Sequence, residues 1–490
     1  MQRNLRARLA RIRKTVDHDK ESTPCNSSAA DNHTVTHIAP PAAPPAVLSP
    51  QKRNTFSEWE EAGFKVLRRT VTLPFALPAV LPETLPWLVA DLAREQESAG
   101  EPPERFLFFD LETTGLSGGA GTVAFLAAFG RFTRDTPDDG TGKIAQRVKQ
   151  KTTHTSLSVT QFLLLDYPGE PDFLEQVLSF IAEGAPETAG DSGSGTPYFL
   201  TTYNGKAFDT QILKTRCLMN GLALPPFFQV DLLHPARRLW KRMLPNCSQA
   251  TVETMVLGLD RTGDTPGAMA PDIWFNFLRS GGEFAVPETA VSRRERESPQ
   301  GQLSESGRAL LGICDHNVKD IFGLATMFRS FAEIAASPLE GTARFHCDEE
   351  NLALVWRKNS VVPRNNTAAG SGNEQAAALL LQSAAKNYPR SCLRLAFDQI
   401  RRGRYDEGRA ALKVLADSGA VWKVPCGTTV RALSLRSLAV DAERRLGQRS
   451  LALSYIEKAL EINNEAGAAG AAKLPRGLRD DLEKRLNRLR

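Results

Sequence analysis

FLFFDLETTGLSGGAGTVAFLAAFG, residues 106–130, is the stretch that decides the fold. An apolar run meets one carboxylate at Asp110 and another at Glu112, then turns through TTGLSGGAGT before a second apolar run begins. On a strand, positions i and i+2 share a face. Asp110 and Glu112 therefore point the same way from the end of a buried strand. Two such carboxylates repel each other unless a cation sits between them. Taken alone, the pair is a weak signal, and a solvated strand end is the better reading of it. The glycines that follow let another backbone approach closely.

Outward from this stretch, residues 104–336 alternate strand-like and helix-like segments. RFLFFD, TVAFLAAFGRF and VTQFLLL read as three strands, and EPDFLEQVLSFIAEG as a helix. YFLTTY reads as a strand, KAFDTQILKTRCLMNG as a helix ending in glycine, and FFQVD as a short strand before LLHPARRLWKRML. Three strands followed by alternating helices and strands predict an α/β domain with a mixed sheet flanked by helices. Polar stretches at 133–156, 184–196 and 283–306 read as surface loops or disordered insertions.

Before this domain, residues 1–54 read as a basic helix and a Pro/Ala-rich linker. Leu5, Leu9, Ile12 and Val16 share one face of that helix among arginines. It is either a solvated docking helix or an arm for nucleic acid or a membrane surface. Residues 55–103 contain LPFALPAVLPETLPWLV and read as an extended segment packed on the core. Residues 337–375 read as an irregular linker. Residues 376–490 read as all-helical, with RRGRYDEGRAALKVLA and RRLGQRSLALSYIEKAL aligning so that Gly403 matches Gly447, Gly408 matches Ala452 and Leu412 matches Ile456. The offset of 44 residues exceeds the tetratricopeptide period. Both a tetratricopeptide-like pair and a generic pair of helical hairpins fit.

The composition fits a soluble chain with a real core: 490 residues, 41% hydrophobic, 24% charged, net charge +5. The mild basicity points only weakly to a polyanionic partner. Seven scattered cysteines without a CxxC pair argue against a disulfide framework and a structural zinc. No apolar core follows the six basic residues among the first 14, and no run of 18 apolar residues occurs. No secretory signal, no membrane span and a cytoplasmic location are therefore expected.

Two further segments carry acids in suggestive settings. In TTYNGKAFD, an apolar strand runs through Asn204-Gly205 and a helix delivers Asp209 in its first turns. In CDHNVKDIFGL, His316 and Asp320 are four apart on a predicted helix and share a face. A helix start that favours acid and an exposed polar face explain each separately. Together, three elements present acid beside core-forming sequence. Carboxylates suit hard divalent cations. Two such ions roughly 4 Å apart stabilise both oxygens of a phosphodiester displacement, and a neighbouring histidine can take a proton near neutral pH.

Asp110-x-Glu112, Asp209, and His316 with Asp320, in that order, resemble the DEDD (DnaQ-like) exonucleases. FFDLETTGLSGGAGTVAFLAAFG, TYNGKAFD, DLLHPARRLWKRML, RTGDTPGAMAPDIWFNFLRSG and DHNVKDIFGL are similar to the YprB-type ribonuclease H-like family over about 104–335. The resemblance implies a ribonuclease H-like mixed sheet and metal-dependent hydrolysis of single-stranded DNA or RNA from the 3′ end. It also implies helical repeats after the nuclease domain. It implies that Asp110, Glu112, Asp209 and Asp320 hold two Mg²⁺ or Mn²⁺ ions, that His316 is the general base, and that Thr113 contacts the terminal nucleotide. The histidine subclass has one more residue between His and Asp than the three found here, which is the spacing of the tyrosine subclass. A role for His316 in orienting water, binding phosphate or packing stays open. Asn204, Lys206, Arg237 and Arg238 are candidates for nucleic-acid contact, the arginines with Lys241 and Arg242 in a basic cluster that also reads as a solvated face. Asp231 reads as a helix cap, and Asp264 and Asp272 as turn residues. The helical region is a candidate protein-binding platform. A nucleic-acid-binding module without catalysis is the alternative to a nuclease.

Overall fold

The computed structural model describes residues 58–77, 81–92, 102–115, 119, 121–134, 154–183, 197–284, 303–359, 368–417, 426–468 and 474–490. The expected basic helix and linker at 1–54 and most of the three polar stretches lie outside these residues.

Among the described residues, one mixed sheet of seven strands organises the chain from Glu60 to Asp231. Its strands are β1 (Glu60–Gly63), β2 (Val66–Ala76), β3 (Phe106–Thr113), β4 (Ala124–Arg134), β5 (His154–Leu164), β6 (Phe199–Thr202) and β7 (Phe228–Asp231). Their order is β1-β2-β5-β4-β3-β6-β7, with β3, β6 and β7 parallel and the rest antiparallel. The helices in chain order are α1 (Leu85–Leu88), α2 (Glu170–Ala182), α3 (Asp209–Met219), α4 (Leu233–Trp240), α5 (Gln249–Met255), α6 (Ala270–Arg279), α7 (Glu305–Ala336), α8 (Pro338–Phe345) and α9 (Glu349–Asn359).

β3 is buried on both faces, which is why its sequence is nearly continuous in apolar residues. Leu107, Phe109 and Leu111 face a cluster with α2 and α6, where Phe125 of β4 stacks on Trp274 at 5.3 Å. Phe106 and Phe108 face α7, and Phe328 of that helix lies 4.5 and 5.7 Å from their rings. By the period of two, Asp110 and Glu112 continue the face covered by α7. The helix lies close: a Cβ added at Gly130 of β4 would meet Ile321 Cγ2 at 2.4 Å. α7 is thereby seated directly on the sheet beside the acidic end of β3.

The flanks carry more regular structure than the sequence reading assigns. The segment 55–103, expected to be extended and packed, supplies β1 and β2, and β2 pairs with β5 from Val66 opposite Leu164 to Ala76 opposite His154. Pro74 fits in this strand because β1 covers only Val66–Arg68 of it, leaving the proline on an open edge. The stretch 337–375, expected to be a linker, carries α8, α9 and the start of the next helix. Its apolar residues are few but placed at helical spacing. Phe345, Leu352, Ala353 and Trp356 are buried in the same core as α7, and Trp240 Nε1 donates to the Phe345 carbonyl at 3.0 Å.

The chain ends in helices α10 (Ala368–Asn387), α11 (Pro389–Arg401), α12 (Tyr405–Ala416), α13 (Thr428–Arg444), α14 (Arg449–Ala468) and α15 (Arg476–Leu489). The aligned residues occupy equivalent places. Gly403 and Gly447 take φ of +80° and +66° in the turns after α11 and α13, and Leu412 and Ile456 are fully buried. No helix among the described residues is long and apolar enough to cross a membrane.

Candidate active site

β3 brings Asp110 and Glu112 to the end of the sheet, where a bulge between Glu112 and Thr113 breaks the ladder with β4. Bulges at such positions re-aim side chains. Glu112 is buried, and Asp110 Oδ2 accepts a 2.7 Å hydrogen bond from Asn317 Nδ2 of α7. Thr113 is buried next to Glu112, and its hydroxyl donates to the Gly115 carbonyl at 3.0 Å.

Asp209 arrives from β6 through a tight turn. Asn204 takes φ +64°, and a Cβ at Gly205 would meet Thr202 at 2.5 Å. The Asp231 carboxylate holds this turn, accepting from the backbone N–H groups of Asn204 at 2.9 Å, Lys206 at 3.4 Å and Leu233 at 3.0 Å. Asp231 thus does more than cap a helix. The helix starts three residues later than its sequence suggests, at Asp209 itself, because residues 204–208 are spent on the turn. Asp209 is buried at the N-terminus of α3, where the dipole favours negative charge, and takes a backbone hydrogen bond from Leu111.

His316 and Asp320 lie one turn apart on α7, with His316 Nε2 3.2 Å from Asp320 Oδ2. His316 Nδ1 lies 2.8 Å from Asp264 Oδ2. The segment after α5 thus orients the imidazole. Arg261 binds Asp264 at 2.9 Å, Glu253 at 2.5 Å and Asp320 at 2.5 Å, while Lys319 binds Asp264 at 3.0 Å. Gly267 leaves the room the ring needs, since a Cβ there would stand 2.9 Å from His316 Nε2 and 3.9 Å from Glu112 Oε1. Ligand atoms of Glu112, His316 and Asp320 all fall within 4.8 Å of one another.

Arg261 offsets Asp320, but the carboxylates of Asp110, Glu112 and Asp209 are poorly compensated. Asp110 is held well above the usual carboxylate range by burial, then by repulsion from Asp320, Asp209 and Glu112. Glu112 is raised by burial, then by Asp320 and Asp209. Burial first, and then Asp231, push Asp209 up to about 7. Carboxylates on three separate elements therefore sense one another, the condition that a divalent cation relieves. A carboxyl whose native pKa lies above its unfolded value binds its proton more readily when folded. Its contribution to stability is gained as pH falls through the native value and lost as pH rises. We expect melting in EDTA to move upward as pH is lowered from about 8 to about 5.5, the rise setting in as pH falls through the Asp209 value of about 7. Saturating Mn²⁺ would flatten that dependence. A flat profile in EDTA would contradict the repulsion described here.

The remaining predicted residues are more dispersed. Asn204 and Lys206 sit in the turn before Asp209, with Lys206 Nζ paired to Asp91 at 2.5 Å. Arg238 donates to the carbonyls of Leu88 at 3.1 Å and Trp87 at 3.4 Å, Arg242 is bound by Asp348 and Glu350, and Arg237 is exposed. Asp264, read as a turn residue, is His316's partner across 52 positions, a pairing that no local spacing signals. Arg261, Glu253 and Asn317 likewise join the site only through the fold.

A family model described as RNase_H superfamily matches residues 107–331, which span every carboxylate of the site. The chain is also 38% identical over 245 residues to the Bacillus subtilis (strain 168) protein YprB, described as uncharacterized, covering 49% of this chain and 45% of that relative. The match thus spans less than half of the relative's length. The superfamily supports a nuclease acting on nucleic acid, and such nucleases typically use divalent metals. Residues 107–331 form a ribonuclease H-superfamily domain, and over about half its length the chain is similar to YprB.

Proposed function

We propose that this protein is a metal-dependent 3′–5′ exonuclease hydrolysing phosphodiester bonds of single-stranded DNA or RNA. The observation that carries this reading is the convergence of Asp110, Glu112, Asp209 and Asp320, from three elements, beside a histidine whose Nδ1 is already held by Asp264. These four acids would hold two Mg²⁺ or Mn²⁺ ions, which when bound supply Lewis acidity to the phosphoryl oxygens. The donor set fits: it is oxygen-rich, buried at Glu112 and Asp209 and half-buried at Asp110 and Asp320, and mutually repulsive. His316 Nε2 takes a proton from the attacking water, with Asp264 fixing the ring as an orienting carboxylate does in other base–acid pairs. Thr113 and the turn of Asn204 and Lys206 flank the acids and provide contacts to the 3′-terminal nucleotide. The exposed Arg237 offers an electrostatic contact further along the strand.

The paired hairpins of α11–α14, with matching glycine turns, support a tetratricopeptide-like platform for a protein partner. The scattered free cysteines fit a reducing, cytoplasmic setting.

A second reading rests on Arg261, whose guanidinium lies 2.5 Å from Asp320 and already neutralises one of the four acids. On that reading the domain binds nucleic acid and cuts it weakly or not at all. One experiment separates the two. The full chain is incubated with 5′-labelled single-stranded DNA or RNA in Mn²⁺, Mg²⁺ or EDTA. A metal-dependent ladder shortening from the 3′ end is expected. Mid-strand cuts would make it an endonuclease, and a gel shift without cleavage would establish the binding module.

A further inference from the structure

A chain of buried polar side chains runs from strand β2 to Asp110. Arg69 of β2 is 1% exposed, and Gln161 of β5 and Asn317 of α7 are fully buried. Arg69 Nε donates to Gln161 Oε1 at 2.7 Å. Gln161 Nε2 donates to Asn317 Oδ1 and to the Cys314 carbonyl, both at 2.8 Å. Asn317 Nδ2 donates to Asp110 Oδ2 at 2.7 Å. The far end is anchored as well: Arg69 Nη2 donates to Asp315 Oδ1 at 3.1 Å, and its guanidinium lies over Trp59 at 4.8 Å.

The order of donors and acceptors is fixed by Arg69 at one end and agrees with the two obligate acceptors further along, the Cys314 carbonyl and the Asp110 carboxylate. A guanidinium has five N–H donors and no acceptor. Gln161 must therefore turn its oxygen to Arg69, which commits both hydrogens of its amide nitrogen to Asn317 and Cys314. Asn317 must then present oxygen to Gln161 and nitrogen to Asp110. With an acceptor in place of Arg69, Gln161 would be drawn to turn its nitrogen that way, setting its oxygen against the Cys314 carbonyl and the Asn317 oxygen, and Asn317 could answer only by turning its own oxygen toward a carboxylate. Buried networks of this kind are fully satisfied or costly.

We propose that Arg69 and Gln161 are positioning residues for the metal site: they set the polarity of the Asn317 amide, and through it the orientation of Asp110. This rests on the reading of Asp110 as a metal ligand. It gives strand β2, which is separated from β3 by β5 and β4, a role in the site.

The test is direct Mn²⁺ binding, followed by the loss of the free-ion EPR signal on titrating the full chain. Gln161→Glu is the discriminating variant. It preserves volume and keeps a partner for Arg69, but offers Asn317 only acceptors and so reverses its amide. We expect Mn²⁺ affinity to fall about 10–100-fold, the range typical of outer-shell partners of metal ligands, with the circular dichroism spectrum retained. Arg69→Met is expected to weaken binding in the same direction. A merely structural role predicts unchanged affinity in a folded Gln161→Glu protein, and that result would overturn the proposal while leaving the metal site standing. Failure of the wild type to bind Mn²⁺ would overturn both.

Discussion

Asp110→Asn will melt above the wild type in EDTA at about pH 8 and will have lost nuclease activity by at least about a thousandfold. The two effects share one origin. In the ion-free protein the Asp110 carboxyl is raised first by burial and then by Asp320, Asp209 and Glu112. Above its native pKa it carries a charge that the folded state disfavours and the unfolded chain does not. Stability is therefore lost as pH rises, and the amide removes that loss without changing the side chain's shape. A gain of roughly a few degrees is expected for a domain of this size. With Mn²⁺ the order reverses. The wild type gains stability from the bound ion, and the variant, lacking one ligand, gains little. Lewis acidity at a phosphoryl centre contributes several kcal/mol to the transition state, and each 1.36 kcal/mol is a factor of ten in rate. Paired melts in EDTA and Mn²⁺ with a single-turnover cleavage assay check all of this. A variant that melts below the wild type in EDTA would show that Asp110 is structural.

His316→Ala is expected to reduce the single-turnover rate about 10²–10⁴-fold, the usual contribution of a positioned general base, while Mn²⁺ affinity changes little. The distinction is needed because His316 Nε2 lies close to both Glu112 and Asp320, as a ligand would. Equal losses of binding and rate would make the histidine a ligand. A loss confined to rate makes it the base. Asp264→Asn should reproduce part of the rate defect, since Asp264 is the partner of His316 Nδ1 at 2.8 Å. It also frees Arg261 and Lys319, so its effect on Mn²⁺ binding is expected to exceed that of His316→Ala.

Much of this architecture is legible in the sequence where a residue's neighbours in space are also its neighbours in the chain. Asp110 and Glu112 share a face because they are two apart on a strand, and His316 meets Asp320 because they are four apart on a helix. The three-residue gap between them, unusual for a histidine in this setting, still brings the ring to Asp320 at 3.2 Å. Long-range partners were not legible. Arg69 lies in a strand whose paired arginines and single proline hide its pattern, and its buried role exists only because Gln161 stands opposite it in the register. Asp264 sits in a Pro/Gly-rich segment where an aspartate needs no further reason. The short helices α8 and α9 are not legible because each carries only a turn or two of apolar spacing, too little to stand out against charged neighbours.

The register of β4 against β5 has a practical consequence. Arg134 pairs with Thr155 at the end of the sheet away from the carboxylates, whereas Leu126 and Leu163, at the other end, lie near Glu112. The two strands hold the ends of the 135–153 segment side by side by their own ladder, whatever joins them. Chain can be added or removed there without altering the separation of Asp110, Asp209 and Asp320. Related proteins are free to differ in length at this point, and a fluorescent label or a fused domain can be introduced there with the cleavage centre left as it is.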